Sequence, residues 1–110
     1  MSSVSKNDQS LKPIKDIDDE FVQEVGRKAV EHYNESKVNN NHVKFKRVVS
    51  GLSRSGLLPT VEQSYELVVV VEEDDYNSSY VAKVNVIILS FKFPPTYNVI
   101  AFEPILEYKK

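Results

Sequence analysis

The chain has no cysteine among its 110 residues. That removes a thiolate nucleophile, a thiolate metal site and any disulfide framework together. It leaves the compartment open, since a disulfide-free fold survives on either side of a membrane. Histidine is scarce too: His32 and His42 are the only two, and no motif ties them to carboxylates, so neither a metal site nor a Ser-His-Asp arrangement is supported. The expectation is a protein that is not an enzyme and that needs no cofactor and no metal. A basic excess is also missing. A net charge of -2 and a pI near 5.7 argue against a nucleic-acid partner, which calls for a basic face. Long apolar runs are absent as well: Leu67–Val71 and Val86–Leu89 have strand length, far short of the ~20 residues of a membrane span. The opening Met1-Ser2-Ser3-Val4-Ser5-Lys6 lacks the apolar core of a secretory leader, so a cytoplasmic protein or a mature secreted form is expected.

What is present is ordinary globular composition, 41% hydrophobic and 27% charged, in a length that suits one domain. Residues 1–10 are Ser, Asn, Asp, Gln and Lys with almost nothing apolar and read as a flexible N-terminal arm. Residues 11–110 form the single domain. Leu11-Lys12-Pro13-Ile14 suits a short edge strand, where proline is tolerated. Asp16 or Asp18 offers a helix N-cap, with Asp19 and Glu20 complementing the dipole. From there Phe21, Val25, Ala29 and Tyr33 recur every four residues, with Val22 and Gly26 beside them, giving one apolar stripe on a helix of about five turns. Lys37 and Asn39-Asn40-Asn41 supply its stop.

The remainder is strand material. Val43, Phe45, Arg47 and Val49 alternate with Lys44, Lys46, Val48 and Ser50, and a loop through Gly51, Gly56 and Pro59 follows. Tyr65 to Glu72 is a β-branched run closed by an acidic turn, Glu73 to Asn77. Tyr80 to Leu89 is the next strand, with Tyr80, Ala82 and Val84 on one face and Val81, Lys83 and Asn85 on the other. Pro94-Pro95 breaks the chain, and Tyr97 to Phe102 closes the sheet. One helix followed by strands joined through short turns predicts an α+β fold, with one long helix packed on an antiparallel sheet of four to five strands. The sheet face needs a cover, and this amphipathic helix is the cover available.

The run Val25-Gly26-Arg27-Lys28-Ala29-Val30-Glu31-His32-Tyr33-Asn34 resembles the helix signature of the plant cystatins. Lys28 stands where that pattern has an aromatic, and His32 where it prefers an acidic or amide residue. Lys12-Pro13-Ile14-Lys15 is similar to the family's first strand and Lys44-Phe45-Lys46-Arg47-Val48-Val49-Ser50-Gly51 to its second. Tyr65-Glu66-Leu67, Tyr80-Val81-Ala82 and Ala101-Phe102-Glu103-Pro104 match the later strands, so the likeness spans residues 11 to 104. It implies a cystatin-like roll and a proteinase inhibitor that occludes the cleft of a papain-like cysteine peptidase.

Inhibition in that family uses a Gly-Gly arm, a first hairpin loop reading Gln-x-Val-x-Gly and a second with Pro-Trp. Here Gln9-Ser10 stands for the glycines, Leu52 to Thr60 is a longer first loop without that motif, and Phe93-Pro94 replaces Pro-Trp in a chain with no tryptophan. The resemblance thus implies peptidase contacts at Leu11 in the arm, at Leu57, Leu58 and Pro59 in the first loop, and at Phe93 and Pro94 in the second. The alternative is a cystatin-fold interaction module or scaffold that inhibits no cysteine peptidase, or an inhibitor of another peptidase class. The chain is expected to be mostly monomeric, with a domain-swapped dimer as the other state. Glu72-Glu73-Asp74-Asp75 lacks the glycine and spaced ligands of a calcium loop and reads as a solvated hairpin tip. Asn34-Glu35-Ser36 and Asn77-Ser78-Ser79 are glycan acceptor triplets of a kind that often arises by chance.

Overall fold

The computed structural model describes residues 10–36, 42–55, 62–89 and 92–105. The elements run β1 (Lys12–Pro13), α1 (Glu20–Ser36), β2 (Lys44–Ser55), β3 (Glu62–Glu73), β4 (Tyr76–Ile87) and β5 (Thr96–Pro104). The five strands form one antiparallel sheet in the order β1-β2-β3-β4-β5. Helix α1 packs against β2, β4 and β5, so the α+β architecture of one helix on an antiparallel sheet is observed.

The helix starts at a cap other than the two expected. Asp19 Oδ2 accepts the backbone N–H groups of Phe21 at 2.9 Å and Val22 at 3.3 Å, while the Asp19 carbonyl accepts the N–H of Gln23 at 3.0 Å. These bonds satisfy the orphan donors of the first turn. Asp18 is spent elsewhere, on Arg47 at 3.1 Å. The apolar stripe buries Val22, Val25, Gly26, Ala29 and Val30 against Val48, Leu67, Val69 and Val84 of the sheet, all within one cluster. Gly26 allows the close approach: a Cβ there would stand 2.4 Å from Val48 Cγ2. Lys28 is half-buried, its ammonium 5.8 Å from the centroid of the Tyr97 ring and within reach of Glu24 and Glu31. Its alkyl stem and charge thus meet an aromatic face from the position where the signature has a ring. The expected stop at residues 37–41 lies outside the described residues.

Strand β2 departs from strict alternation. Phe45 pairs with Val71 but Arg47 with Val70, and Val48 pairs with Val69 but Ser50 with Val68. Lys46 and Val49 are therefore bulged residues, and each extra residue resets the side-chain phase. Val48 turns inward and is fully buried, while Val49 is 41% exposed, which overturns the expected Val43-Phe45-Arg47-Val49 face. Gly51 was expected to open a loop; instead β2 runs through it to Ser55. A Cβ on Gly51 would meet Leu67 Cδ2 at 2.6 Å, so glycine is there for close packing rather than for a turn.

β3 and β4 pair without a register shift from Glu62–Ile87 to Glu73–Tyr76. Their alternation sends Tyr65, Leu67, Val69 and Val71 inward with Tyr80, Ala82, Val84 and Val86. The turn between them is tighter than expected, holding only Asp74 and Asp75, with φ of 55° and 71°. Two consecutive positive φ values define the type I′ hairpin turn, whose twist matches the flanking strands. In β5 a shift opposite Lys83 and Val84 leaves Ile100 as the bulged residue, 63% exposed.

Two side-chain amides fasten the helix to β2. Gln23 Nε2 donates to the carbonyls of Ile17 at 2.7 Å and Val48 at 3.1 Å, and Gln23 Oε1 accepts the Val48 N–H at 2.9 Å. Asn34 makes the same reciprocal pair with Val43, at 2.9 Å in each direction. β1 covers β2 only at Leu52 and Ser53. The clasps therefore pair main-chain groups on the side of β2 that β1 leaves open.

Candidate functional site

The strand registers bring several chain segments to one end of the sheet. Lys12 pairs with Ser53, Ser55 with Gln63, Glu62 with Ile87, and Ile87 with Thr96. The start of β1, the end of β2, the start of β3, the end of β4 and the start of β5 are thus neighbours. The residues entering and leaving them here include Ser10 and Leu11 on one side and Ile88, Leu89 and Lys92 to Pro95 on the other.

Three exposed large apolar side chains lie at this end, while Tyr76 and Ile105 are exposed at the other and Val49 and Ile100 between them. Leu11 is 38% exposed, Leu89 72% and Phe93 62%, with Pro94 exposed beside Phe93. Leu11 borders an open groove of about 270 Å³ that runs past Arg54, Ser64 and Asn85 to Ile100. Behind the apolar tips, Phe21, Tyr65 and Tyr97 form an aromatic group, with Phe21 6.3 Å from Tyr65 and 6.4 Å from Tyr97. Burial raises the Tyr65 and Tyr97 phenols above their ordinary value, with Asp19 and Glu24, respectively, adding to the shift. These rings stay neutral and give the end a firm floor.

Of the contact residues expected from sequence, Leu11, Phe93 and Pro94 are described, and all are exposed at this end. Leu57, Leu58 and Pro59 lie outside the described residues. Leu89 was missed. Val86 to Leu89 reads as one strand in sequence, but β4 stops at Ile87, so Ile88 stays packed on the core while Leu89 leaves the sheet. The nearest breaker, Pro94-Pro95, restricts only Phe93 and itself, so no local signal in the sequence marks the end of β4 at Ile87.

The remaining chemical candidates are dispersed. His32 lies exposed on α1 and His42 exposed before β2. Among the described residues there is no group of three His, Cys, Asp or Glu placed to hold a metal, and no helix long and apolar enough to cross a membrane. A wider cleft, about 600 Å³, is lined by Glu20, Phe21, Gln23, Glu24 and Arg27. Its charged members are surface residues of one helix, and Arg27 is paired with Glu24. The Asn34 amide is consumed by its clasp with Val43, whereas Asn77 is exposed beside the hairpin tip. The aromatic group at the opposite end, Tyr33, Tyr80 and Phe102, stacks with Tyr80 and Phe102 centroids 4.7 Å apart. Tyr80 belongs to the core, and Tyr33 and Phe102 pack against it while also lining a shallow depression of about 190 Å³.

What this geometry can do is present a compound surface to another macromolecule. No family model matches this sequence, and no curated protein matches it.

Proposed function

We propose that the protein is a non-enzymatic proteinase inhibitor of the cystatin type, built on a cystatin-like roll, and that it occludes the cleft of a papain-like cysteine peptidase. The observation that carries the reading is the gathering of exposed Leu11, Leu89, Phe93 and Pro94 at the one sheet end where the start of β1 meets the β2, β3, β4 and β5 termini. Leu57, Leu58 and Pro59 belong to the same proposal through the chain order, since they fall between Ser55 and Glu62. Apolar groups of this size left in water favour burial in a partner's groove, and an aromatic seated centrally dominates such contacts.

The wedge differs from the family pattern in chemistry. Phe93 takes the anchoring part of the missing tryptophan, with Leu89 adding area that the signature does not supply. Gln9 and Ser10 stand where the family has glycines, with Leu11 following, so the arm contributes side chains where the family uses bare backbone. The test is a titration of papain and cathepsin-type peptidases, read with a fluorogenic peptide, against folded protein. Stoichiometric loss of peptidase activity supports the wedge. Full activity at micromolar protein overturns it and leaves a cystatin-fold scaffold for another partner.

A further inference from the structure

The side of the sheet away from α1 carries more apolar surface than a solvated face normally does. With Leu67 and Val69 turned inward on β3, and Tyr80, Ala82 and Val84 on β4, the strand period of two sends their neighbours outward. Those neighbours are Glu66, Val68 and Val70 on β3 and Ser79, Val81 and Lys83 on β4. Val68 pairs with Val81, and Glu66 with Lys83. Val49, between the Val48–Val69 and Ser50–Val68 pairs, is turned out of the core at 41% exposure. The outward face of an antiparallel sheet ordinarily alternates to polar residues, whereas Val49, Val68, Val70 and Val81 adjoin one another here. Beside them stands an open charge pair. Among the described residues neither Glu66 nor Lys83 takes part in an ion pair. Both line the groove of about 270 Å³ that also holds Ile100, so the two charges and an exposed isoleucine share one open surface.

This pattern is complementary to itself. A two-fold axis running between β3 and β4, parallel to both, keeps each residue row at its own level and lays β3 of one copy over β4 of the other. Glu66 then meets Lys83 of the second copy twice, and Val68 meets Val81 of the second copy twice, as an isologous contact requires. The four charges alternate in sign around the axis, and two aligned sheets pack in this manner at about 10 Å separation. We infer that two copies of this chain pair reversibly through this face, with Val68 and Val81 at the centre and the Glu66–Lys83 quartet beside them. A second copy is the occupant that brings the opposite charge and an opposing valine to the matching places. The inference is independent of the inhibitor reading, because an axis along the strands leaves both tip ends uncovered and pointing the same way. Pairing follows mass action, so the monomer expected from sequence dominates at low concentration.

The experiment is sedimentation velocity of the full chain from about 5 to about 500 µM, a range in which weak pairing through a small interface becomes visible. The inference expects the average mass to rise from 12.6 kDa toward twice that value, and to fall again on dilution. E66K and K83E are run singly and as an equimolar mixture, each checked for its fold by circular dichroism. Alone, each variant sets like charges against each other across the axis, and its dissociation constant should rise at least about tenfold. Mixed, the doubly basic face of one meets the doubly acidic face of the other, and pairing should return. A charge effect confined to one chain cannot produce that recovery. V68T, which places a hydroxyl at the centre, should weaken pairing, while L89A/F93A at the tips should leave it unchanged. A mass that stays at 12.6 kDa to the highest concentration overturns the inference and leaves the face to a different partner. So does a dimer that survives both E66K and K83E, the mark of exchanged segments or of another contact. A mixture of the two variants that stays monomeric overturns it as well.

Discussion

Asn34 and Val43 hold each other by both ends: the side-chain amide donates to the Val43 carbonyl and accepts the Val43 N–H, each at 2.9 Å. This pair joins the last helical turn to the residue just before β2. Val43 is only 3% exposed, so its main-chain groups have no ready substitute in water. Asn34→Ala should leave both unsatisfied and cost about 2–3 kcal/mol, lowering the melting temperature by about 10 °C for a domain of this size. Urea denaturation of the variant measures this directly. A loss below about 0.5 kcal/mol, the level of an ordinary surface change, would mean that the clasp contributes nothing.

Gly26→Ala tests the helix–sheet approach. In an open helix this change stabilises by about 1 kcal/mol. Here the new Cβ meets Val48 Cγ2 at 2.4 Å and Phe45 Cε1 at 3.3 Å, and overpacking costs about 1–3 kcal/mol. The clash outweighs propensity because Val48 is fully buried and its backbone is held by Gln23. A net loss of about 1 kcal/mol is expected from these opposed effects. Val48→Ala should remove the clash, so the double variant should be less damaged than the two single changes added together.

The helix stripe and the β3–β4 alternation were legible because a single residue count governs each. Phe21 to Tyr33 keeps one helical phase, and Tyr65 to Val71 and Tyr80 to Val86 keep the period of two without interruption. β2 was not legible in the same way, because Lys46 and Val49 each add a residue that periodicity cannot foresee. The inward Val48 looks in sequence like an outward position. Asp19 as cap was hidden among three aspartates, Asp16, Asp18 and Asp19, of similar local merit; the ion pair that engages Asp18 with Arg47 is a tertiary contact that periodicity does not foresee. At the candidate site, Leu11, Phe93 and Pro94 were expected from the resemblance to the plant cystatins, since periodicity and composition mark none of them. Leu89 was hidden by apolar residues that continue the β4 pattern after its pairing has stopped.

The hairpin turn offers a stabilising change. Asp74 and Asp75 both occupy positive φ, a region where a side chain costs about 1–2 kcal/mol and aspartate somewhat less. This turn type prefers asparagine followed by glycine. The double change Asp74→Asn with Asp75→Gly should therefore raise stability by about 1 kcal/mol. It also removes two charges from an acidic tip. Thermal melts at low and high salt separate the parts, since a gain that persists at high salt is conformational.

Alkaline pH should unfold the protein through its tyrosines. Tyr80 is held well above its ordinary value by burial first, then by its contact with Tyr33 and by the Glu73 carboxylate, which accepts its hydroxyl at 3.2 Å. Tyr65 and Tyr97 are raised as well. The folded state keeps these phenols protonated, whereas the unfolded chain ionises them near pH 10. Above that pH the unfolded state binds fewer protons, so stability falls with rising pH. Below it the contribution is fully present and the profile is flat. Phenolate absorbance of the native protein should lag behind that of the denatured chain, and Tyr80→Phe should flatten part of the alkaline decline. Coincident titration of native and denatured protein would contradict the assignment.

The surface character of the tips separates binding from stability. Phe93 is 62% and Leu89 72% exposed, so truncating either removes little that the core uses, and the melting temperature of Phe93→Ala should stay within about 2 °C of the parent. If Phe93 anchors the wedge, the same change exposes nothing in the free protein but empties a pocket in the complex. Loss of an aromatic anchor costs about 2 kcal/mol or more, a weakening of about thirtyfold in the inhibition constant. Leu89→Ala should weaken binding by a smaller factor, because leucine leads less often than aromatics at interface centres. Tyr76 supplies the control. It is 75% exposed but lies beside the β3–β4 turn at the opposite end of the sheet, and Tyr76→Ala should leave inhibition unchanged. Equal effects of Phe93→Ala and Tyr76→Ala would mean that binding does not use the tip end of the sheet, and a large loss of stability in Phe93→Ala would place that ring in the core instead.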